Sequence, residues 1–197
     1  SVYCLDYSAG QQLFASGSND KTVRLGKLRN SANEPIGFTS AGELSAPMKG
    51  HSGTVRVVKF APPLTGVAGG SSSSAPNLHL LASAGAGDNK PRLWDVATGS
   101  SYSTLYSHNA PVHGLVWLDG TTLPTGCEEG HIIAHDVRMS GTAWRYTVSG
   151  GGICTMLRMP HPQDTTNKWI ASGHIGGTVS VFNARTGAVM ASDRLHK

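Results

Sequence analysis

The strongest constraint on the fold is a pattern of short segments that occurs four times along the chain. Each copy has an apolar run, a turn, a second run ending in small residues and glycine, a tight turn and a third run. Short apolar runs separated by turn residues are typical of β-strands. The second runs end in Ala15-Ser16-Gly17, Ser83-Ala84-Gly85, Pro124-Thr125-Gly126 and Ala171-Ser172-Gly173. The chain is therefore predicted to be an all-β repeat protein.

The third run of each copy ends at a pair of positions that we call the Trp-Asp column. The column is occupied by Gly26-Lys27, Trp94-Asp95, His135-Asp136 and Phe182-Asn183, in steps of 68, 41 and 47 residues. The long first step indicates insertions at residues 29–48 and 61–77, the second of them rich in Pro, Gly and Ser. The repeats then divide the chain into units 1–49, 50–106, 107–148 and 149–197.

The second repeat carries the most complete motif. Gly50-His51 precedes its first strand, Asp88 lies in its tight turn and Trp94-Asp95 ends its third strand. These residues resemble the WD-repeat β-propellers, whose four-stranded blades repeat about every 40–45 residues. The resemblance implies about four blades here, part of a larger ring of about seven blades, with the remaining blades supplied by the same or another chain. It also implies a buried hydrogen-bonded tetrad of His51, Ser83, Asp88 and Trp94.

Several strings in the first two repeats resemble a narrower family. YCLDYS, QLFASGSNDK, GTVRVVKF and ASAGAGD, in this order, are similar to the nemitin family (WD repeat-containing protein 47). That resemblance implies a non-enzymatic scaffold in the cytoplasm, associated with microtubules or the ciliary axoneme, with tubulin and axonemal proteins as partners. The open alternative is an adaptor in another complex, such as a ubiquitin-ligase substrate receptor or a chromatin reader, because the fold does not specify the partner.

A cluster of basic residues follows the first tight turn. The run KTVRLGKLR contains four bases and no acid, namely Lys21, Arg24, Lys27 and Arg29. Positive charge attracts acidic partners, and under the resemblance these bases would contact the acidic tails of tubulin. The alternative is an ordinary strand whose solvent-facing positions are basic. Val23 and Leu25 are predicted to be core residues in either case.

Three features suggest catalysis or metal binding, but the repeat pattern explains them better. The second repeat holds a Ser, a His and an Asp, the residue types of a hydrolase triad, yet the tetrad would bury them. Gly85–Lys90 resembles a phosphate loop, but such a loop leads from a strand into a helix, whereas this one joins two predicted strands. His131 and His135 would lie about 13 Å apart on a strand, too far to share a metal. We expect no enzymatic activity, no cofactor and no metal site.

Composition sets the remaining expectations. The net charge is +4 and aromatic residues make up 7% of the chain, without the aromatic strand motif of RNA-binding domains, so no nucleic-acid partner is expected. No apolar run reaches about 18 residues, so no membrane association is expected. Three cysteines without a CxxC pair favour reduced, cytoplasmic thiols. The first residue lies inside an apolar run, which indicates a piece of a longer protein.

Overall fold

The computed structural model describes residues 1–27, 46–62, 79–139, 141–159 and 169–197. Within these ranges the chain forms sixteen β-strands and no helix. The strands are β1 Val2–Ser8, β2 Leu13–Ser18, β3 Thr22–Lys27, β4 Met48–Lys49, β5 Val55–Phe60, β6 Leu80–Gly85, β7 Arg92–Asp95, β8 Ser100–Thr104, β9 Val112–Leu115, β10 Thr122–Cys127, β11 His131–Asp136, β12 Gly141–Thr147, β13 Ile153–Met159, β14 Trp169–His174, β15 Thr178–Asn183 and β16 Val189–Arg194.

The strands form four antiparallel sheets, each of four strands in chain order. Blade 1 is β1–β4, blade 2 is β5–β8, blade 3 is β9–β12 and blade 4 is β13–β16. The first strands of consecutive blades contact one another, so they lie on the inner side, and the fourth strands form the outer edge. The predicted all-β architecture of four four-stranded propeller blades is confirmed.

The predicted insertions lie mostly outside the described residues. Of residues 29–48 only 46–48 are described, and of residues 61–77 only Ala61 and Pro62. Met48 was assigned to the first insertion, but it belongs to β4, pairs with Val23 and is 3% exposed. The prediction was wrong at this position because a two-residue strand is too short to show a hydrophobic period.

A buried apolar cluster fills each junction between consecutive blades. Alternation along a strand decides which side chains reach it. In β3, Val23 and Leu25 point toward blade 2 and are buried, which confirms their prediction as core residues, whereas Arg24 lies on the opposite face. The clusters include Val23 and Leu81 between blades 1 and 2, Leu93 and Leu115 between blades 2 and 3, and Ile132 and Ile170 between blades 3 and 4.

Polar side chains join the inner strands of neighbouring blades. The Asp6 carboxylate in β1 accepts a hydrogen bond from the backbone N–H of Phe60 at 2.8 Å and lies 3.2 Å from the Lys59 ammonium. The Trp117 indole N–H donates to the Lys59 carbonyl at 3.0 Å. These contacts connect blade 1 to blade 2 and blade 2 to blade 3.

Two blade faces remain open to solvent among the described residues. On blade 1, Leu5 and Tyr7 lie on the face of β1 opposite to Asp6 and are 65% and 50% exposed. On blade 4, Leu157 is 65% exposed, whereas its neighbour Met156 packs against blade 3. Apolar side chains of this size are usually covered in a folded protein, so both faces are candidates for contact with further protein.

The close approach between β5 and β6 makes Gly85 a sensitive position. A Cβ there would lie 1.9 Å from the Thr54 carbonyl oxygen and 2.8 Å from the Arg56 backbone nitrogen. We expect Gly85→Ala to lower the free energy of unfolding by about 1–3 kcal/mol, because backbone must move. Gly141→Ala is the matched control in a strand, since a Cβ there has no described heavy atom within 4 Å. Equal urea midpoints for the two variants would contradict the expected clash.

Candidate functional site

The four predicted tetrad residues lie together in blade 2. His51 lies in the segment before β5, Ser83 in β6, Asp88 in the β6–β7 turn and Trp94 in β7. The His51 Nδ1 atom is 2.8 Å from the Asp88 carboxylate, and its Nε2 atom is 2.7 Å from the Ser83 hydroxyl. The Trp94 indole N–H donates to the same hydroxyl at 2.7 Å. The network therefore joins a loop, a turn and two strands of one blade.

The direction of each hydrogen bond follows from the chemistry of the partners. An indole N–H only donates and a carboxylate only accepts. Ser83 therefore accepts from Trp94 and donates to His51 Nε2, while the His51 Nδ1–H donates to Asp88. Ser83 is 0% exposed and His51 is 7% exposed. A serine whose hydroxyl is buried and already bonded on both sides has no access to a substrate, unlike the nucleophile of a hydrolase.

The electrostatics of Asp88 suit this arrangement. Burial acts to raise the pKa of its carboxyl, but the hydrogen bond and electrostatic attraction from His51 and the backbone N–H of Ser52 outweigh burial, so the pKa lies below its usual value. The guanidinium of Arg92 lies 3.8 Å away. The carboxylate thus stays ionised and available as the acceptor that fixes the His51 proton on Nδ1.

Comparison with known families gives a match in blade 1. The family model for the WD domain, G-beta repeat (WD40), matches residues 1–25, which cover β1, β2 and most of β3. This match comes from a different blade from the hydrogen-bonded network, and both lie in the same four-blade architecture. The match and the four-blade architecture together support a β-propeller fold of the WD40 type. WD40 propellers are generally scaffolds that bind other proteins and are typically non-enzymatic.

Blade 3 contains a modified form of the blade 2 network. The His108 Nε2 atom is 2.6 Å from the Thr125 hydroxyl, which is also 3.2 Å from His135 Nε2. His135 occupies the Trp-Asp column, so an imidazole replaces the indole. His108 Nδ1 has no partner among the described residues. The two acids of the adjacent turn interact with other histidines: Glu128 lies 2.7 Å from His113, and Glu129 lies 3.8 Å from His131.

The two buried imidazoles of blade 3 are kept neutral. Burial lowers the pKa of His135 to about 4. Burial, together with unfavourable electrostatic interactions with His135 and Arg145, also lowers the pKa of His108 to about 4. With no acid at its Nδ1 atom, His108 carries its proton on Nε2 and donates to Thr125, which donates in turn to the Ile133 carbonyl at 3.1 Å. The direction of the network is thus reversed relative to blade 2.

Blade 4 reaches a similar result with a histidine from another position. The His174 Nε2 atom, at the end of β14, is 2.9 Å from the Ser172 hydroxyl, and its Nδ1 atom is 3.0 Å from the Gly151 carbonyl. A Cβ on Gly150 would lie 2.8 Å from the His174 ring, so the imidazole packs directly on that glycine. The sequence reading missed this residue. The available signals were a repeat with no histidine before its first strand and a histidine two positions after its serine.

The other residues singled out from sequence are dispersed. His131 bonds the Thr147 hydroxyl at 3.1 Å and His135 belongs to the blade 3 interior. No three or more metal-ligating side chains cluster within the described ranges. Gly85–Lys90 links β6 to β7, and two of its residues have positive φ, Gly87 at 109° and Asn89 at 53°. The described residues include no helix that could cross a membrane.

The basic residues at the start of the chain do not share one sheet face. Lys21 is exposed in the β2–β3 turn, and Lys27 is exposed at the far end of β3. Six residues of strand separate them by roughly 20 Å. Arg24 lies between them on the open face of blade 1, in the same row as Leu5. Arg29 lies outside the described residues.

Proposed function

We propose that this WD40 protein is a non-enzymatic scaffold that holds other proteins together. The observation that supports this most directly is the complete use of the Ser83 hydroxyl within a buried network. The residue types that suggest hydrolysis serve to fasten the loop before β5 to two strands. Rigid blades then present their connecting loops and open faces to partners, as is common for binding surfaces built on stable sheets.

The open faces of blades 1 and 4 suit further blades. Leu5 and Tyr7 on one face and Leu157 on the other are the kind of side chains that fill the junctions between blades 1 to 4. We infer that additional blades, from the same or another chain, pack on these two faces and complete a ring of about seven. Further blades on these faces would also bury the exposed apolar surface, which otherwise favours aggregation.

We propose further that the scaffold attaches to microtubules or to an axonemal complex, in the cytoplasm and on the cytoskeleton. The support is the similarity of four strings in blades 1 and 2 to the nemitin family and the exposure of Lys21 and Lys27. The acidic tails of tubulin are flexible and are able to contact bases that lie roughly 20 Å apart, at the two ends of one strand. Axonemal proteins with acidic segments are partners of the same chemistry.

Co-sedimentation of the full chain with microtubules tests this attachment. We expect the double variant Lys21→Ser, Lys27→Ser to raise the apparent dissociation constant about three- to ten-fold, because two exposed charge pairs are lost. The matched control is Lys90→Ser, Lys197→Ser, which removes the same charge elsewhere and should have little effect. Binding should weaken with added salt.

Two results would count against the microtubule proposal. One is the absence of sedimentation above background. The other is binding that stays unchanged after proteolytic removal of the acidic tubulin tails. Either result leaves the scaffold role intact and favours an adaptor in another complex.

A further inference from the structure

The three blade junctions differ in what fills their outer part. Between blades 1 and 2, Trp94 packs with Met48 of the outer strand β4 and is 1% exposed. Between blades 3 and 4, Phe182 packs against Trp144 and Tyr146 of the outer strand β12. Between blades 2 and 3, the same column holds His135, which has a smaller ring. Among the described residues, that junction therefore has no aromatic side chain at the position that closes the other two.

The residue directly before the network histidine also differs between blade 2 and blade 3. A Cβ on Gly50 would lie 2.9 Å from the Arg92 guanidinium and 3.3 Å from the Trp94 ring, so glycine makes room for both side chains. In blade 3 the equivalent residue, directly before His108, is Ser107, whose hydroxyl is 3.2 Å from His135 Nε2. The serine thus reaches only the inner edge of the space that an indole would occupy, and no other described residue fills the outer part.

The open space is a cavity of about 650 Å³ at the outer edge of the junction, which we call the rim cavity. Its inner wall is formed by Leu105, Ser107 and His135, the equivalents of Met48, Gly50 and Trp94. Its outer wall includes Tyr102, Tyr106 and Met139, which are 45%, 79% and 72% exposed. This volume lies within the usual range for ligand pockets.

We propose that the rim cavity receives an aromatic side chain from a partner protein, which takes the place of the missing ring. The occupant is aromatic because the equivalent position in both neighbouring junctions is an aromatic ring packed on the preceding blade. It is uncharged because Arg138, the arginine among the described lining residues, is already paired with Asp136 at 2.6 Å. The inference that this ring belongs to a protein, and not to a small molecule, rests on the proposed scaffold function.

The outer wall suits such a contact. Tyrosine and methionine are enriched at protein interfaces, and a flexible thioether adapts to a ring. The Lys90 ammonium lies 4.9 Å from the centre of the ring of Tyr106, one of the lining residues. The hydroxyls of Ser103, Ser107 and Thr142 around the cavity offer acceptors for the N–H of an indole.

Titration of the full chain with N-acetyl-tryptophanamide, followed by NMR, tests the proposal. We expect saturable shifts of the Leu105 methyl groups and of the His135 ring, with a dissociation constant on the order of 1 mM, since the probe is a single residue. N-acetyl-leucinamide is the matched probe without a ring and should bind at least about ten-fold more weakly.

Two substitutions close the cavity from opposite walls. His135→Trp restores the ring of the other junctions, and Ser103→Phe fills the space from β8. Either folded variant should abolish the shifts, whereas Ser101→Phe, on the same strand but not lining the cavity, should keep them. Shifts that are absent in the parent protein, or that persist in both filled variants, would overturn the proposal. These results do not depend on microtubule binding, so failure here leaves the scaffold role untouched.

Discussion

Replacing Ser83 by alanine lowers the free energy of unfolding by about 2–5 kcal/mol, because two buried polar groups lose their partner at once. The Trp94 indole N–H and the His51 Nε2 atom both bond this hydroxyl at 2.7 Å. The methyl group that remains fills most of the space but neither accepts nor donates. His51→Ala should also be destabilising, by about 1–3 kcal/mol, since it leaves Ser83 and Asp88 without their shared partner.

Urea unfolding of the parent protein and of three variants measures this effect. Ser172→Ala in blade 4 is the matched control: its partner His174 keeps a second bond to the Gly151 carbonyl, so the loss should be smaller, at about 1 kcal/mol. Trp94→Phe keeps a buried ring and removes only the N–H donor, and should lie between the two. If Ser83→Ala is as stable as the parent, the network is not a source of stability. A hydrolytic activity that disappears in a fully stable Ser83→Ala protein would overturn the scaffold proposal.

Much of the fold was predictable because the repeats are local in sequence. Runs of residues with alternating polarity, separated by turns, define strands that pair with their neighbours in chain order. The burial of Val23 and Leu25 was predicted from the same alternation. Met48 did not, because the outer strand of blade 1 has only two residues and follows a long insertion. The position of Met48 in the sequence gave no indication that its side chain packs with Trp94.

The networks show where sequence comparison fails. Blade 2 has the residue type expected for the family at each tetrad position, so the four residues of its network could be identified from their spacing in the sequence. In blade 4 the imidazole comes from His174, at the end of a strand, and reaches the same serine column from the other side. A column comparison aligns positions along the chain, whereas a hydrogen bond depends only on where atoms meet in space. The joint change at Ser107 and His135 was missed for the same reason.

Acid should destabilise the protein between pH 6.5 and pH 4 through the two buried imidazoles of blade 3. In the unfolded chain both histidines titrate near the ordinary value of 6.5, whereas in the folded chain the pKa of each lies at about 4. As the pH falls through this window, the unfolded chain binds protons that the folded chain does not. Stability is therefore greatest above pH 6.5 and is lost as the pH approaches 4.

The expected loss is large because each imidazole contributes up to roughly 3 kcal/mol over the window. The two contributions do not add fully, since a charge on His135 opposes a charge on His108. The pKa of the Asp88 carboxyl lies below its usual value of 3.8, so Asp88 titrates at still lower pH and does not contribute here. Urea midpoints measured at pH 7.5, 6, 5 and 4.5 would follow the change.

His108→Gln and His135→Gln should each flatten the pH dependence, because each removes one imidazole that must stay neutral in the folded chain. His79→Gln is the control, since His79 is exposed directly before β6 and does not belong to the Thr125 network. The blade 3 pair is not the origin of acid sensitivity if all three variants lose stability in parallel with the parent. Parallel loss of stability would also contradict the hydrogen-bond directions assigned in blade 3. In that network His108 donates to Thr125, which requires a neutral imidazole with its proton on Nε2.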